Sequence, residues 1–311
     1  MNKFDQVENL IGNTPLIEIR YKYKGEIRKM YSKLEWYNLS GSIKDRPAFE
    51  VLKKAYLSGE LKENQPICEV TSGNMGISIC AIARYLSNPV IICMPKFMSE
   101  ERKKLLTLFG ANLQLTESFS EAFNKAEELK KEGVFLPKQF ENENNVYAHY
   151  NSTAVEILKK LDKIPYFVSG VGTGGTLMGV GKHLKEIRQS KIIALDPKEA
   201  SLLTFGKSIG KHKIQGLSDE IIPKIYNKSL VDEIVQIKSD DAVAMAQKLC
   251  EKLGLGVGIS SGANFLGCVL AGDGAVTVFA DDNKKYLSTD LSTKICSDFV
   301  ENIELVSYRV L

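Results

Sequence analysis

Short β-rich runs alternate with helical patterns along almost the whole chain, and this alternation limits the fold more than any other feature. In the first half, the composition predicts strands at 66–70 and 90–94, and residues 75–86 between them carry apolar side chains at helical spacing. The second half repeats the order, with a strand predicted at 166–169 and a helix at 175–187. Strands separated by helices are typical of a mainly parallel sheet covered by helices. The sequence therefore predicts an α/β fold.

The other predicted elements keep this alternation, except in one long segment. Ser118 and Glu121 have the spacing of a capping box, which predicts a helix that ends before Gly133. Between residues 201 and 230 there is no clear period, and a loop of this length in an α/β domain is more often functional than idle. Further strands are predicted at 29–35, 112–116, 191–195, 233–237 and 276–279, and further helices at 48–57, 99–109, 153–161, 239–253 and 263–270.

Length and charge narrow the class of protein. At 311 residues the chain is long enough for two lobes with substantial cores. Its 41 basic and 38 acidic side chains leave a formal charge of +3 without a long run of either sign, so no nucleic-acid partner is expected. No segment approaches the apolar length that spans a bilayer, and the first residues lack an apolar signal core. We expect a soluble, cytoplasmic protein without a membrane partner.

The cysteines and histidines do not form a metal-binding pattern. Each of the 6 cysteines stands alone in an apolar stretch, without the close pairs of a zinc site or redox motif. His149, His183 and His212 are far apart in the sequence. We expect reduced core cysteines, structural histidines of which His149 is partly buried, and no metal site.

Lys44 lies in a turn of small residues between the strand predicted at 29–35 and the helix predicted at 48–57. The positive end of the helix dipole lowers the pKa of an amine placed there. An amine with a lowered pKa suits nucleophilic work, including Schiff-base formation. Because most lysines are solvated, this turn by itself still favours an ordinary surface lysine.

A glycine-rich turn, Gly-Val-Gly-Thr-Gly-Gly-Thr at 170–176, follows a predicted strand and opens a predicted helix. Backbone amides at such a helix N-terminus bind phosphate. No lysine follows Thr176, which excludes an ATP-type P-loop. Three glycines of the turn, with Asp196 about twenty residues further on, also match the dinucleotide fingerprint. A nicotinamide-dependent dehydrogenase is therefore a second interpretation.

Two more turns of small polar residues precede predicted helices. Residues 71–76 offer hydroxyls, a carboxamide and free amides that suit a carboxylate or a phenolate, and residues 258–263 have a similar composition. Either turn could serve only as a helix cap. These two turns, the Lys44 turn and the glycine-rich turn would all lie at the carboxyl ends of strands. They would therefore meet in the crevice where open α/β sheets bind ligands.

Several of these motifs together identify a family. They are Ile-Gly-Asn-Thr-Pro-Leu at 11–16, Ser-Gly-Ser-Ile-Lys-Asp-Arg at 40–46, Thr-Ser-Gly-Asn-Met-Gly at 71–76, the segment 98–106, Gly-Thr-Gly-Gly-Thr at 172–176, Gly-Ile-Ser-Ser-Gly at 258–262 and Tyr-Leu-Ser-Thr at 286–289. In this order, and nearly end to end, the chain resembles the cysteine synthase (O-acetylserine sulfhydrylase) and cystathionine β-synthase family. The resemblance displaces the dehydrogenase interpretation.

The resemblance implies a fold-type II pyridoxal-phosphate enzyme, similar to the tryptophan synthase β-subunit, with a helix-wrapped, mainly parallel sheet in each of two lobes. The larger lobe, which binds pyridoxal 5'-phosphate, would comprise 1–40 and 148–311. The smaller, mobile lobe that closes on the substrate would comprise 41–147. The resemblance also implies a homodimer.

The resemblance further implies roles for individual residues. Lys44 would form the Schiff base and remove the α-proton. Asn74 would hydrogen-bond the cofactor's ring oxygen, and Ser260 would face its pyridine nitrogen, with Ser261 as the alternative if the register is shifted by one. The phosphate would be held by Gly172, Thr173, Gly174, Gly175 and Thr176, and the substrate by Thr71, Ser72, Asn74, Met75, Gln139 and Gly216.

Departures from the family pattern bear on the substrate. Met75 stands where the family usually has a threonine, so the carboxylate-binding turn lacks one hydroxyl. Asp219 and Glu220 stand where the sulfhydrylases have a small, uncharged segment beside the leaving group. Asp232 follows soon after and is a third candidate base, although an acidic residue there can also simply begin a strand.

These carboxylates favour one nucleophile over another. Bisulfide is already an anion near neutral pH and would be repelled, whereas water or a neutral thiol needs a base. The prediction is β-replacement or β-elimination on a small L-amino acid through an aminoacrylate, with L-cysteine as donor and hydrogen sulfide released. The main alternative is cysteine synthesis from O-acetyl-L-serine and sulfide. More remote alternatives are a cystathionine β-synthase, a nicotinamide-dependent dehydrogenase and a non-catalytic paralogue.

Overall fold

The computed structural model describes residues 3–217 and 221–311, which form two separate β-sheets covered by helices. The larger sheet contains β1 (Leu16–Tyr23), β2 (Glu26–Leu34), β6 (Tyr166–Gly170), β7 (Lys191–Pro197), β8 (Glu233–Ile237), β9 (Ala275–Phe279) and β10 (Ile303–Val310), and the smaller contains β3 (Ile67–Val70), β4 (Val90–Pro95) and β5 (Asn112–Thr116). The helices are α1 (Lys3–Glu8), α2 (Asp45–Ser58), α3 (Asn74–Leu86), α4 (Glu100–Leu108), α5 (Phe119–Lys131), α6 (Asn144–Ala148), α7 (Ala154–Leu158), α8 (Gly175–Arg188), α9 (Leu202–Phe205), α10 (Ser239–Leu253), α11 (Ile259–Ala271) and α12 (Asp298–Glu301).

The larger sheet has the strand order β10-β1-β2-β9-β6-β7-β8. Strand β1 pairs antiparallel with β10 and β2, whereas β2, β9, β6, β7 and β8 are parallel neighbours. The smaller sheet, β3-β4-β5, is entirely parallel. Both sheets therefore confirm the predicted α/β class, and the carboxyl ends of β2, β9 and β6 lie at one edge of the larger sheet.

Each sheet has its own hydrophobic core. Around the smaller sheet, buried side chains of α2 and α3 pack with Ile67, Ile92 and Leu106, and Phe4 and Val7 of α1 join the same core. On the larger sheet, one core lies against α10 and α11 and another against α8. The lobe boundaries and the mobility of the smaller lobe remain predictions.

Several local features differ from the sequence prediction. Helix α11 begins at Ile259 rather than 263, so the third polar turn forms its first turn. The helix predicted at 153–161 begins at Asn144 and passes through a π-helical turn at His149–Thr153. The expectation of six core cysteines is wrong for two of them, because Cys250 and Cys296 are exposed. Within the described ranges, no helix combines the length and apolar composition needed to cross a bilayer.

Candidate active site

Lys44 is the residue immediately before α2, and its amine reaches the glycine-rich turn. Its Nζ donates a hydrogen bond to Thr173 Oγ1 at 3.2 Å. The turn is fixed from within, because the buried Asp45 carboxyl group accepts hydrogen bonds from the backbone N–H of Ser40 at 2.7 Å and from its hydroxyl at 2.5 Å. The structure thus gives Lys44 a defined position at the carboxyl edge of the larger sheet.

The glycine-rich turn after β6 leaves no room for side chains. A Cβ on Gly172 would collide with the carbonyl oxygen of Gly216, and one on Gly175 would collide with Asn145 Oδ1. Gly174 has φ +89°, a conformation that favours glycine. Gly172, Gly174 and Thr176 also line the cleft, where backbone N–H groups at the start of a helix suit an anion.

Thr173 links Lys44 to this turn. Its Oγ1 accepts hydrogen bonds from Lys44 Nζ at 3.2 Å and from Asn145 Nδ2 at 2.9 Å. Since both nitrogens donate, the hydroxyl hydrogen of Thr173 can be donated to a ligand. Asn145 Oδ1 is buried and has no hydrogen-bond partner among the residues that the structure describes.

His149 lies behind the glycine-rich turn and is fully buried. Its Nε2 is 3.3 Å from Thr176 Oγ1 and its Nδ1 is 3.0 Å from Thr153 Oγ1. Burial, together with the positive charges of Arg46 and Lys44, holds the pKa of His149 well below its ordinary value. The imidazole is therefore neutral, and the π-helical turn that begins at this residue brings it against the start of α8.

Asn74 is the first residue of α3, after a turn at the carboxyl end of β3. Its Nδ2 donates to Asp281 Oδ2 at 2.7 Å. A carboxylate only accepts hydrogen bonds, so the nitrogen and not the oxygen of the amide faces Asp281. Asn74 Oδ1 is buried and unpartnered within the described part of the chain. This turn thus holds an amide in one orientation and leaves one polar atom for a ligand.

Ser260 and Ser261 have different surroundings. Ser260 lines the same cleft as Lys44 and Asn74. Ser261 is fully buried, and its Oγ accepts a hydrogen bond from the backbone N–H of Ala280 at 3.2 Å. The geometry therefore favours Ser260, and not Ser261, as the residue that faces a ligand.

Two residues predicted to bind the substrate belong to the framework of the smaller sheet. Gln139 Nε2 donates to Val70 O at 2.8 Å, and its backbone N–H donates to Glu69 Oε2 at 3.2 Å. Met75 is buried in the core around the smaller sheet. The apolar side chain of Met75 packs on the inner face of α3, so only the backbone of Met75 is left for the predicted role in substrate binding.

Substrate candidates also lie in the outer part of the cleft. Ser72 and Gly216 line a wide opening between α11 and the loop before residue 218. Thr71 is buried beside them, and its Oγ1 accepts a hydrogen bond from Gly73 N at 3.0 Å. Gly216 lines both this opening and the cleft around Lys44, whereas Ser72 lines the opening and Thr71 lies buried in the same turn as Ser72.

The structure describes one of the three candidate bases, Asp232. Asp219 and Glu220 lie outside the described residues. Asp232 directly precedes β8 at the amino edge of the sheet, where Oδ1 accepts from Lys185 Nζ at 2.8 Å and Oδ2 from Ile192 N at 2.7 Å. Because Lys44 lies at the carboxyl edge, the assignment of Asp232 as a catalytic base is corrected.

Behind Asn74 lies a buried chain of hydrogen bonds that the sequence does not predict. Tyr286 donates its O–H to Asp281 Oδ2 at 2.7 Å, and Arg102 Nη2 donates to the Tyr286 oxygen at 2.8 Å. Arg102 Nη1 donates to Gln215 Oε1 at 2.7 Å. The motifs at 98–106 and 286–289 contain two of these residues, but no spacing pattern relates positions so far apart in the sequence.

Residue 281 also connects the turns through its backbone. It forms an isolated antiparallel bridge with Ser42, and its carbonyl oxygen accepts a hydrogen bond from Gly258 N at 3.1 Å. Its side chain holds Asn74. The Lys44 turn, the Asn74 turn and the Ser260 turn thus meet at Asp281.

Comparison with known proteins supplies the family. A model of the family described as pyridoxal-phosphate dependent enzyme matches residues 7–279. The chain belongs to this family. Cysteine synthase B from Campylobacter jejuni is 43% identical over 303 residues, which cover 94% of this chain and 99% of that protein.

Solved structures agree with this assignment. A hydrogen sulfide-producing enzyme from Fusobacterium nucleatum superposes with a TM-score of 0.96 and 45% identity, over 99% of this chain and 98% of that chain. A mutant of a hydrogen sulfide-producing enzyme, solved in complex with an α-aminoacrylate intermediate, gives 46% identity and the same TM-score of 0.96 over 100% and 99% of the two chains. Cysteine synthase from Entamoeba histolytica gives 0.86 and 36%, over 95% of this chain and 93% of that chain. The protein is therefore a fold-type II pyridoxal-phosphate enzyme of the cysteine synthase type.

The residues of the cleft fit pyridoxal phosphate. They provide an amine at Lys44, a helix N-terminus whose backbone N–H groups suit a phosphate, and a hydroxyl hydrogen at Thr173 that neither Lys44 nor Asn145 uses. Asn74 Nδ2 gives one hydrogen to Asp281 and has a second that suits the cofactor's ring oxygen. Asp196, on which the dehydrogenase interpretation depended, is buried and accepts hydrogen bonds from the backbone and hydroxyl of Thr204.

Proposed function

We propose that this enzyme breaks down L-cysteine with release of hydrogen sulfide, and that water or a thiol is the acceptor. The observation that carries the proposal is the match to the hydrogen sulfide-producing enzyme from Fusobacterium nucleatum. That match extends over nearly the whole of both chains and has a higher TM-score than the match to the Entamoeba histolytica cysteine synthase. The acidic residues next to Gly216 support the same reaction, since they suit a neutral acceptor better than bisulfide.

When bound, pyridoxal phosphate supplies the electron sink for cleavage at the α-carbon. We assign Lys44 Nζ to hold the cofactor's aldehyde carbon and to take the α-proton from the substrate, because its amine reaches Thr173 of the glycine-rich turn. Asn74 is assigned to the ring oxygen and Ser260 to the pyridine nitrogen. The phosphate is assigned to Gly172, Thr173, Gly174, Gly175 and Thr176, and the substrate to Thr71, Ser72, Asn74, Gln139, Gly216 and the backbone of Met75.

The visible absorption spectrum of the protein tests the role of Lys44. The wild-type protein should be yellow as isolated, and Lys44→Ala should lose the visible band of the covalently held cofactor. Lys33→Ala is unsuitable as a control because Lys33 is buried in an ion pair with Glu156. Lys62→Ala, at an exposed position after α2, should keep the band. An unchanged band in Lys44→Ala would refute the assignment.

The reaction is tested by comparing two substrate sets. The purified enzyme is given L-cysteine alone, and separately O-acetyl-L-serine with sulfide, and kcat/KM is measured for each. We expect the higher value with L-cysteine, together with release of sulfide. A clear preference for O-acetyl-L-serine with sulfide would reverse the proposal.

The acceptor base is tested with neutral amides. We expect Asp219→Asn or Glu220→Gln to slow the addition of water or thiol while the release of sulfide in the first turnover is retained. Asp232→Asn is a matched control, because the structure places this carboxylate at the other edge of the sheet. Equal rates in Asp219→Asn, Glu220→Gln and the wild type would exclude both carboxylates as bases.

Cysteine synthesis is the second candidate. The similarity to cysteine synthase B from Campylobacter jejuni, at 43% identity, favours cysteine synthesis. In that case sulfide would be consumed, and the acidic residues near Gly216 would be solvated on the loop. The substrate comparison above distinguishes the two candidates.

We also propose a cytoplasmic homodimer in which the smaller lobe, 41–147, closes on the substrate against 1–40 and 148–311. The separate sheets and cores support two lobes. Light scattering on the eluted protein should give twice the mass of the chain. Small-angle scattering with and without substrate should show a smaller radius of gyration on binding, and an unchanged radius would contradict closure.

A further inference from the structure

Tyr286 lies at a buried contact between the two sheets. Its side chain is 1% exposed, and the Arg102 guanidinium carbon lies 4.8 Å from the centre of its ring. Arg102 belongs to α4 beside the smaller sheet, whereas Asp281 follows β9 of the larger sheet. The phenol therefore stands where a side chain from one sheet can be linked to a carboxylate of the other.

The direction of each hydrogen bond at Tyr286 is determined by chemistry. A guanidinium only donates and a carboxylate only accepts, so the phenol oxygen accepts from Arg102 and its hydrogen goes to Asp281. Burial, and then the adjacent Asp281, raises the pKa of Tyr286 above its ordinary range, so the phenol keeps this hydrogen. Asp281 Oδ2 accepts from both Tyr286 and Asn74, each at 2.7 Å. The orientation of Asn74 is thus set by an oxygen that Tyr286 also holds.

Arg102 extends this chain to the rest of the turn and to the loop opposite. Its Nη1 donates to Ser72 O at 3.2 Å and to Gln215 Oε1 at 2.7 Å. Gly73 packs directly on it, since a Cβ on Gly73 would collide with the Arg102 side chain. One buried cation therefore contacts the Asn74 turn and the loop that carries Gly216.

We infer that Tyr286 is a positioning residue that orients Asn74 toward the cofactor ring and, through Arg102, ties this orientation to the loop at 215–217. The inference rests on the proposed role of Asn74. Without the phenol oxygen, Asp281 loses one of two donors and Arg102 loses an acceptor, so the carboxylate and the Asn74 amide are free to turn. The amide then no longer presents a fixed hydrogen-bonding group to the ring.

Tyr286→Phe tests this inference in the holoenzyme, because it keeps the ring and removes only the hydroxyl. We expect the visible band of the bound cofactor to shift and KM for L-cysteine to rise about tenfold, the scale of one lost hydrogen bond to a buried charged group. Tyr56→Phe is the matched control: it removes a hydrogen bond of 2.5 Å to Asn88 Oδ1 far from the cleft. It should lower the melting temperature and leave both spectrum and KM unchanged.

Coupling to Asn74 distinguishes positioning from general damage. In the double variant of Tyr286→Phe with Asn74→Ala, we expect no further change beyond Asn74→Ala alone, because Tyr286 acts through that residue. Additive effects would overturn the inference, as would a wild-type spectrum in Tyr286→Phe. A wild-type spectrum in Asn74→Ala would instead remove the proposed role of Asn74, and the inference with it. If Tyr286→Phe does not fold, Asp281→Asn must give the spectral shift for the inference to stand.

Discussion

Glu69, in the middle of β3, is a buried acid next to the substrate turn. Its oxygens accept hydrogen bonds from Val70 N at 2.9 Å and Gln139 N at 3.2 Å. Burial raises the pKa of Glu69 to about 8, against an ordinary value of 4.5. At neutral pH this residue is therefore largely a neutral acid that fixes the segment carrying Gln139.

This shifted pKa predicts how stability depends on pH. The folded state keeps a proton that the unfolded state releases, so the contribution is complete below pH 4.5 and is lost as pH rises toward about 8. The free energy of unfolding should fall between pH 6 and 8 by at most about 1.4 kcal/mol per pH unit. Glu69→Gln lacks the titrating group, so urea unfolding at several pH values should give it a flatter profile.

A control variant isolates this effect. Glu251→Gln removes an exposed carboxylate on α10 and should keep the wild-type slope between pH 6 and 8. Parallel profiles for Glu69→Gln and the wild type would mean that Glu69 is ionised throughout this range in the folded protein.

At the scale of elements, a buried ion network decides where α2 begins. Arg46 makes paired hydrogen bonds to Glu35, of 2.7 and 3.0 Å, and to Glu156, of 2.6 and 2.8 Å. Lys33 of β2 adds an ion pair of 2.7 Å to Glu156. Burial alone would raise the pKa of Glu156, but the positive charges of Arg46 and Lys33 hold this pKa at about 2. The network joins β2, α2 and α7. It holds the start of α2, and Lys44 is the residue directly before this helix.

Removing Arg46 should therefore destabilise the fold strongly. Arg46→Ala leaves the buried Glu35 carboxylate without its bidentate partner, and we expect a loss of about 3–5 kcal/mol in the free energy of unfolding by urea. Arg46→Lys keeps the charge but not the paired geometry and should lose less. Arg28→Ala, which breaks an exposed pair with Glu26, should lose less than about 1 kcal/mol. A similar loss in Arg28→Ala and Arg46→Ala would contradict this account.

At the scale of the whole molecule, the cofactor site depends on both sheets. Lys44, Thr173 and Ser260 lie around the edge of the larger sheet, whereas Asn74 begins a helix on the smaller sheet. A ligand that contacts all of them binds only when the two sheets are correctly arranged. Binding to the folded state alone raises its stability by mass action.

Removal of the cofactor should therefore lower the melting temperature. At a free cofactor concentration one hundred times Kd, the expected stabilisation is about 2.7 kcal/mol. Thermal unfolding of the holoenzyme, of the stripped protein and of the protein reloaded with pyridoxal phosphate measures this difference. Lys44→Ala should gain less from the added cofactor than the wild type. Equal melting temperatures for stripped and reloaded wild type would show that the site does not couple the sheets.

The parts of the fold that the sequence predicts are those with a strong local period. Strand β5 and helix α10 match their predicted ranges, and β4 nearly does, because their apolar residues are regularly spaced. Strand β10 has no predicted counterpart. Most of its residues are exposed, and its polar and apolar residues do not alternate in step with burial. It becomes a strand only by pairing with β1, a partner nearly three hundred residues away in the chain.

The same distinction applies to the site. The turns that carry Lys44, Asn74 and Thr173 could be predicted, because small residues at strand-to-helix joints are a local signal. Asp232 was misplaced because sequence does not show that the amino end of β8 lies away from the cleft. The chain from Asn74 through Asp281 and Tyr286 to Arg102 could not be predicted, since only tertiary packing brings these residues together.

The meeting of three turns at Asp281 restricts how chain length can vary. An extra residue between β9 and position 281 would rotate the backbone that pairs with Ser42 and turn the carboxylate away from Asn74. One insertion would thus disturb both turns, although neither is near it in the sequence. Relatives that keep this chemistry should therefore keep the spacing from β9 to residue 281.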